Sequence, residues 1–457
     1  MSLDLGGSAR LQHPIGNIDE LVALLKAAEK PAARWRVGVE HEKIGMLGAG
    51  PVPYEGPASI RSLLEGLAAQ SQGRLQLHAE DGKPIALLGD QASVSLEPGG
   101  QLELSGAPFQ RLTDAAAEVD AHLRDVAAYS GAHGLEWYAA GYRPFGARDA
   151  MPFMPKLRYG AMRSSLGPRG RLALDMMLMT ATVQANLDWS DEADLADKVR
   201  AATSASPVVT AIFANSPLVN GGDAGLLDFR YQVWRETDPA RCGLLEGMVQ
   251  PGWGYRSYVE WALDVPLLFV RHDGHYLDAD GRTFRQWMEK GEAAGLKGQP
   301  TLQNWSEHLT TLFPEVRVKS VLELRGADVV PQPLLMALPA IWVGLLYDAD
   351  ARAGAWALTQ GWSFAERLDF QASVARVALR AEGPGGVTAR ELARELLGLA
   401  RAGLRRWSLA TGADESAMLD PAFAIVEGGV TLAERALHAF RDSKGDPASL
   451  DAVWRVA

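Results

Sequence analysis

The sequence predicts an α+β protein, with strands that share a polar face up to about residue 330 and a helical C-terminal region after it. Three observations predict this. First, Ser95-Leu96-Glu97-Pro98-Gly99-Gly100-Gln101-Leu102-Glu103-Leu104-Ser105 reads as a hairpin, with Glu97 before a Pro-Gly-Gly turn and Gln101 and Glu103 after it. Residues i and i+2 of a strand point the same way, so these polar side chains face one side and the leucines the other. Second, the device recurs. Glu40 and Glu42 flank His41, Gln184 and Asn186 alternate with Val183, Ala185 and Leu187, and Glu323 and Arg325 alternate with Leu322 and Leu324. Third, the segments 332–360, 363–380, 388–408 and 430–441 carry apolar residues at helical spacing.

Taken in order, residues 1–16 are expected to be a loose leader, 17–330 the sheet-bearing core and 331–457 the helical region of one compact unit. Asn17 caps a first helix, with Glu20 at the capping-box position and Ile18, Leu21, Val22 and Leu25 on one face. A strand follows over 36–44, then a Gly/Pro-rich loop, a helix over 58–70 and short strands at 75–78, 85–88 and 93–96 leading into the hairpin. The pattern gives a helix over 113–129 capped by Thr113, and a strand over 135–142. The stretch 151–163 reads as a loop in which two prolines precede Lys156, Arg158 and Arg163. It is either a basic surface loop or an anion-binding segment, because forked guanidinium donors match carboxylate and phosphate. Ser190 caps a helix through Ala202, and 207–215 is a separate apolar segment. Arg230, Trp234 and Arg235 sit where a loop enters a helix, and 258–264 leads to a strand at 266–271. Trp305 to Leu312 is a short helix before the strand carrying Glu323.

Composition narrows the function classes. A net charge of −11 without a basic block argues against nucleic-acid binding. Cys242 is the only cysteine, so an intrachain disulfide is excluded and a reducing compartment, the cytoplasm, is expected. The N-terminal residues lack the pattern of a secretory signal, and the longest apolar run, 334–347, is too short to span a bilayer. Neither a Walker A loop nor a dinucleotide fingerprint is present. No membrane, nucleic-acid or obligate protein partner is expected.

Each polar pair alone fits the solvated face of an amphipathic strand. Four pairs rich in glutamate favour one shared site. Carboxylates about 4 Å apart repel by roughly 4 kcal/mol at an effective dielectric near 20, so such a site must take up protons or hold a cation. Oxygen donors without thiolate or paired imidazole point to Mg²⁺ or Mn²⁺.

Several motifs resemble glutamate–cysteine ligases of the plant and proteobacterial type. They are Glu40-His41-Glu42-Lys43, the Ser95–Gln101 stretch, Glu103-Leu104-Ser105-Gly106-Ala107-Pro108, Val183-Gln184-Ala185-Asn186-Leu187-Asp188, Phe213-Ala214-Asn215-Ser216-Pro217, Phe313-Pro314-Glu315-Val316-Arg317 and Leu322-Glu323-Leu324-Arg325-Gly326-Ala327-Asp328. The resemblance implies a glutamine synthetase-like fold, a curved and mainly antiparallel sheet whose concave face binds Mg²⁺–ATP. It also implies an ATP-dependent ligase that takes glutamate and cysteine in the first step of glutathione synthesis. By motif position, Glu40, Glu42, Glu97, Glu103 and Glu323 would be metal ligands, and Gln184 and Asn186 would line the nucleotide and metal face. Arg325 would stabilise phosphate charge with help from Lys156. Arg163 and Arg230 would hold substrate carboxylates, with Tyr258 closing the amino-acid pocket. The regulatory cysteine pairs of the plant enzymes have no counterpart, so no intramolecular redox switch is expected. A ligase using another amine and a metal-dependent phosphohydrolase are the alternatives.

Overall fold

The computed structural model describes residues 11–456. Its centre is a ten-stranded sheet. The strands are β1 (Val37–Leu47), β2 (Gly50–Pro51), β3 (Gln76–Glu80), β4 (Lys83–Leu88), β5 (Ser93–Leu96), β6 (Leu102–Ser105), β7 (Leu135–Tyr138), β8 (Val183–Leu187), β9 (Val316–Val318) and β10 (Leu322–Leu324). They run in the order β9-β10-β8-β1-β6-β5-β4-β3, all pairs antiparallel, while β2 and β7 pair with the far half of β1.

The register assembles the polar face. Glu42 stands opposite Glu103, and Glu103 opposite Ser95. Glu40 lies between Gln184 and Ser105, and Asn186 opposite Glu323, which in turn faces Arg317. A slip of one residue would bury these side chains among the leucines. The other face presents Val37, Val39, Val183, Ala185, Leu187, Leu322 and Leu324 to the helices behind it, all of them buried.

The helices before the C-terminal region are α1 (Ile18–Ala27), α2 (Ile60–Gln70), α3 (Leu112–His133), α4 (Leu157–Leu166), α5 (Ala173–Met179), α6 (Glu192–Phe213), α7 (Phe229–Arg235), α8 (Tyr255–Asp264), α9 (Phe284–Lys290) and α10 (Leu302–Thr310). After the sheet come α11 (Leu334–Leu346), α12 (Ala349–Ala357), α13 (Phe364–Val377), α14 (Ala389–Thr411), α15 (Asp420–Gly428) and α16 (Leu432–Asp442). Every residue of α11 is buried, because it lies between the sheet and α14. Gly344 and Gly403 let α11 and α14 touch backbone to backbone, since a Cβ on Gly403 would stand 1.8 Å from the Gly344 carbonyl oxygen. α14 opens on a Thr388–Glu391 capping box and ends at left-handed Gly412. Among the described residues no single helix is long and apolar enough to cross a membrane.

Several local expectations change. The leader lies outside the described residues through position 10. Beyond it the chain is tied down, with the Ile15 amide donating to the Pro300 carbonyl and the Leu302 amide to that of His13. Asp191 rather than Ser190 caps α6, and the helix runs through Pro207, absorbing the apolar segment expected after it. The strand expected to reach 142 stops at Tyr138. The stretch expected at 266–271 is ordered mainly as Val270–His272. Thr113 does not cap α3; the amides of Leu112 and Thr113 donate to Glu415, some 300 residues away. The C-terminal end returns to the sheet, where the Val456 amide bonds the Trp137 carbonyl and the Ala139 amide that of Trp454.

Candidate active site

The hairpin geometry expected around Glu97 is present and has a tight cause. The Glu97 amide donates to the Gln101 carbonyl at 2.9 Å and the Gly100 amide to the Glu97 carbonyl at 2.9 Å. Gly100 has φ +83°, and a Cβ on Gly99 would stand 2.2 Å from the Leu178 carbonyl oxygen, so only glycine fits there. Gln101 is absorbed by this turn. Its side-chain oxygen accepts from the Gly99 amide and its nitrogen donates to the Thr180 carbonyl. It thus fastens the hairpin to the segment between α5 and β8.

Over the polar face lies a hollow of about 170 Å³ whose lining includes Glu40, Glu42, Glu97 and Glu103 together with Arg158, Arg230, Arg317, Lys319 and Arg325. The charges are sorted by strand. Glu42, Glu97 and Glu103 belong to β1 and the β5–β6 hairpin, whereas Arg317, Lys319 and Arg325 belong to β9, β10 and the residues beside them. One end suits a cation and the other suits anions.

The acidic end is frustrated without a cation. Burial, then the charges of Glu97 and Glu103, raises the Glu42 carboxyl well above the usual range. Burial and Glu103 push Glu97 up to about 7. Glu42 accepts the Thr182 amide at 2.9 Å, and Glu103 accepts the Ser105 hydroxyl. On the reverse face Lys43 is fully buried with its Nζ 3.4 Å from the His41 carbonyl, and its desolvation brings it down to about 7 against the pull of Glu103 and Glu42. Among the described residues no three His, Cys, Asp or Glu already stand in coordinating geometry. The donor set nonetheless fits a hard divalent ion: three buried carboxylates, all oxygen, whose mutual repulsion Lys156, Arg158 and Arg230 offset only in part.

The basic end is ordered by Glu323. Its oxygens pair with Arg317 and Lys319, with Arg325 at 3.6 Å. Burial alone would raise this carboxyl, but Arg317, Lys319 and Arg325 overrule it and hold it below the usual carboxylate range. Arg325 donates to the Gln184 side-chain oxygen at 2.6 Å. Arg230 donates to the Arg325 carbonyl at 3.2 Å. Asn186 donates to Glu40 at 2.9 Å, and with Glu323 it lines an adjoining hollow bounded by α1.

Of the residues expected in the site, Glu40, Glu42, Glu97, Glu103, Gln184, Arg230 and Arg325 meet in the one hollow, and Asn186 and Glu323 border it. Lys156 sits one shell back, donating to the Leu96 carbonyl at 2.7 Å and the Ser95 hydroxyl at 3.3 Å. Arg163 and Tyr258 do not line the hollow. Residues 157–166 are helical, not a loop, and the helical period turns Arg163 outward over the Phe153 ring while Arg158 faces the hollow. Tyr258 is buried on α8 and its hydroxyl accepts the Val318 amide at 3.2 Å, so it braces β9 instead of closing a pocket. Arg317 and Lys319 were not singled out. The signal was their alternation on one strand two and four residues after Glu315, the i, i+2 pattern used for the other strands.

The family model for glutamate–cysteine ligase family 2 matches residues 36–451. The chain is 40% identical over 440 residues to the chloroplastic glutamate–cysteine ligase of Brassica juncea, covering 96% of this chain and 83% of that one. It is 41% identical over 425 residues to the chloroplastic glutamate–cysteine ligase B of Oryza sativa subsp. japonica, covering 92% and 84%. A crystal structure of glutamate–cysteine ligase from Francisella tularensis in complex with AMP overlaps with a TM-score of 0.46 at 12% identity, over 92% of this chain and 91% of that one.

Proposed function

We infer the reaction from the family: this chain belongs to glutamate–cysteine ligase family 2, and it joins the γ-carboxylate of glutamate to the amine of cysteine with cleavage of ATP, the first step of glutathione synthesis. The observation that carries this to particular residues is the meeting of charges in one hollow: carboxylates on β1 and the hairpin with Arg158 beside them, and Arg317, Lys319 and Arg325 on and next to β9 and β10.

A carboxylate oxygen is a poor leaving group, so the γ-carboxylate attacks the terminal phosphorus of ATP and releases ADP. The cysteine amine then attacks the acyl carbon of the γ-glutamyl phosphate, phosphate departs with the C–O bond pair, and the nitrogen gives up one proton to the departing phosphate or to water. Both steps bring anions together. We assign Arg325, Arg230, Arg158 and Arg317 to hold the phosphate and carboxylate oxygens, since forked donors in a buried setting offset charge that develops on them. Gln184 aims Arg325 through their hydrogen bond. Glu42, Glu97 and Glu103 would hold Mg²⁺, or Mn²⁺, which when bound neutralises phosphate charge. Glu40, tied to Asn186, borders that group. Glu323 is assigned to orient Arg317, Lys319 and Arg325, because both its oxygens already carry cations. Lys156 supports the hairpin and adds positive charge beside Glu97.

The test is ADP release with Mg²⁺, ATP and glutamate, with and without cysteine, the product identified by mass. Cysteine-dependent ADP and a γ-linked dipeptide are expected. ADP released without glutamate would overturn the assignment.

A further inference from the structure

Behind the basic end lies a pair of acids that the reaction does not use. Asp228 and Asp328 are each 1% exposed. Asp228 precedes α7 and accepts the Tyr231 amide at 2.9 Å on Oδ1. Asp328 follows β10 and accepts the Asn215 amide at 2.8 Å and the Ser216 hydroxyl at 2.7 Å on Oδ2. That Ser216 Oγ also stands 3.4 Å from Asp228 Oδ1. The remaining oxygens, Asp228 Oδ2 and Asp328 Oδ1, are buried with no donor.

We propose that Asp228 and Asp328, which meet at the Ser216 hydroxyl, share one proton and so act as positioning residues that lock Arg230 against the Arg325–Gly326 segment. Two buried carboxylates that meet at one hydroxyl are costly to ionise together, and one proton held by the pair removes that conflict. The groups around the pair agree. Burial raises both acids, Asp328 well above the usual range with the Asp228 charge adding to it, and Arg230 is the neighbouring cation that opposes the rise. Glu315, the third acid in reach, has partners of its own in Ser206 and Gln371.

The consequence for the site is mechanical. Arg230 is the second residue of α7, and its backbone amide donates to the same Ser216 Oγ at 3.1 Å. Its guanidinium reaches across to the carbonyls of Arg325 at 3.2 Å and Gly326 at 3.5 Å. The shared proton therefore joins the start of the helix that carries Arg230 to the segment that carries Arg325. Without it the two arginines keep their side chains but lose their fixed separation.

The kinetic half of this proposal rests on the reading of Arg230 as a holder of substrate anion. The infrared half does not. In neutral buffer the wild-type protein is expected to show the carbonyl stretch of a buried protonated carboxyl that is lost in both Asp328→Asn and Asp228→Asn difference spectra. An asparagine amide donates where the shared proton sat, so Asp328→Asn should raise KM for glutamate no more than about threefold. Asp328→Ser cannot span the gap and should raise it about tenfold or more with kcat within about twofold. Asp228→Ser keeps the helix cap and should match it, and the double serine variant should be no worse than either, as for one coupled unit. An unchanged carbonyl band in Asp328→Asn would overturn the proposal, and so would Asp328→Asn behaving no better than Asp328→Ser. If the serine variants do not fold, the band and the Asp328→Asn kinetics decide. Arg230→Gln with unaltered KM would defeat the reading of Arg230 and with it the kinetic half, leaving the shared proton to the spectrum.

Discussion

Arg317 and Glu323 are register partners across the β9–β10 hairpin, and the Arg317 Nε donates to Glu323 Oε2 while Lys319 pairs with the other oxygen. The pairing makes Glu323 an anchor of the basic end. Glu323→Gln leaves two buried cations without their anion, and breaking a buried pair in this way costs roughly 3–5 kcal/mol. Urea unfolding at neutral pH checks the loss. The folded carboxyl is held below its unfolded value, so its contribution is present above about pH 4.3 and fades as pH falls through the folded value. The gap between wild type and variant should accordingly close in acid. The thermal shift produced by Mg²⁺ should survive in the variant; its disappearance would return Glu323 to the metal ligands.

How far the site was legible follows from these residues. The i, i+2 rule found the polar face because a sheet translates alternation directly into facing, and Glu40, Glu42, Glu103, Gln184 and Arg325 came with it. Arg163 came from the resemblance, with its stretch read as a loop; the segment is a helix, where facing follows a period of 3.6 and brings Arg158 to the hollow. Motif position offered Glu323 as a metal ligand; spacing records where a side chain points but not that Arg317 and Lys319 stand against it. For Tyr258, likewise, the sequence could not show that its hydroxyl accepts a backbone amide. The cap on α3 and the Asp228–Asp328 pair were unreadable because each joins residues about 100 or more positions apart, and only the tertiary fold brings such partners together.

The long-range cap gives a prediction that separates stability from activity. Glu415 accepts the Thr113 amide at 2.7 Å and the Leu112 amide at 3.1 Å. A charged acceptor at a helix N-terminus stabilises both the free amides and the dipole. Glu415→Ala should lower unfolding free energy by about 1–2 kcal/mol with kcat unchanged. A stability within error of wild type would show that water replaces the cap.

Acid sensitivity should begin above the carboxylate range. His308 is buried between α8 and the aromatic cluster of Phe284 and Trp305, its Nε2 2.7 Å from the Ala262 carbonyl, and burial pushes it down to about 4. The unfolded chain takes up this proton near pH 6.5 while the folded protein does not. Stability therefore falls as pH drops from about 6.5 toward 4, by about 3 kcal/mol from this residue at the lower end. Guanidinium titrations at a series of pH values should show a shallower slope in His308→Gln by one proton across that window. Equal slopes would mean that the folded protein protonates His308.

The acidic end should trade stability for function at a single position. Glu97 is raised to about 7 by burial and by Glu103, so at higher pH the metal-free protein carries an ionised carboxylate that destabilises it relative to the unfolded chain. Glu97→Gln keeps the shape and removes that charge. Metal-free stability at about pH 8 should rise by roughly 1–3 kcal/mol, and the gain should shrink as pH falls from about 7 to about 4.3 because both states then bind the proton. Turnover should fall by more than about 100-fold, the loss expected when a charge-stabilising group of a preorganised site is removed, and the Mg²⁺-dependent thermal shift should weaken with it. Gained stability with lost turnover is the pattern of a residue kept for what it binds. A variant that turns over like wild type would remove Glu97 from the cation-holding group, and one that is less stable without metal would mean the hairpin needs the carboxylate for its own structure.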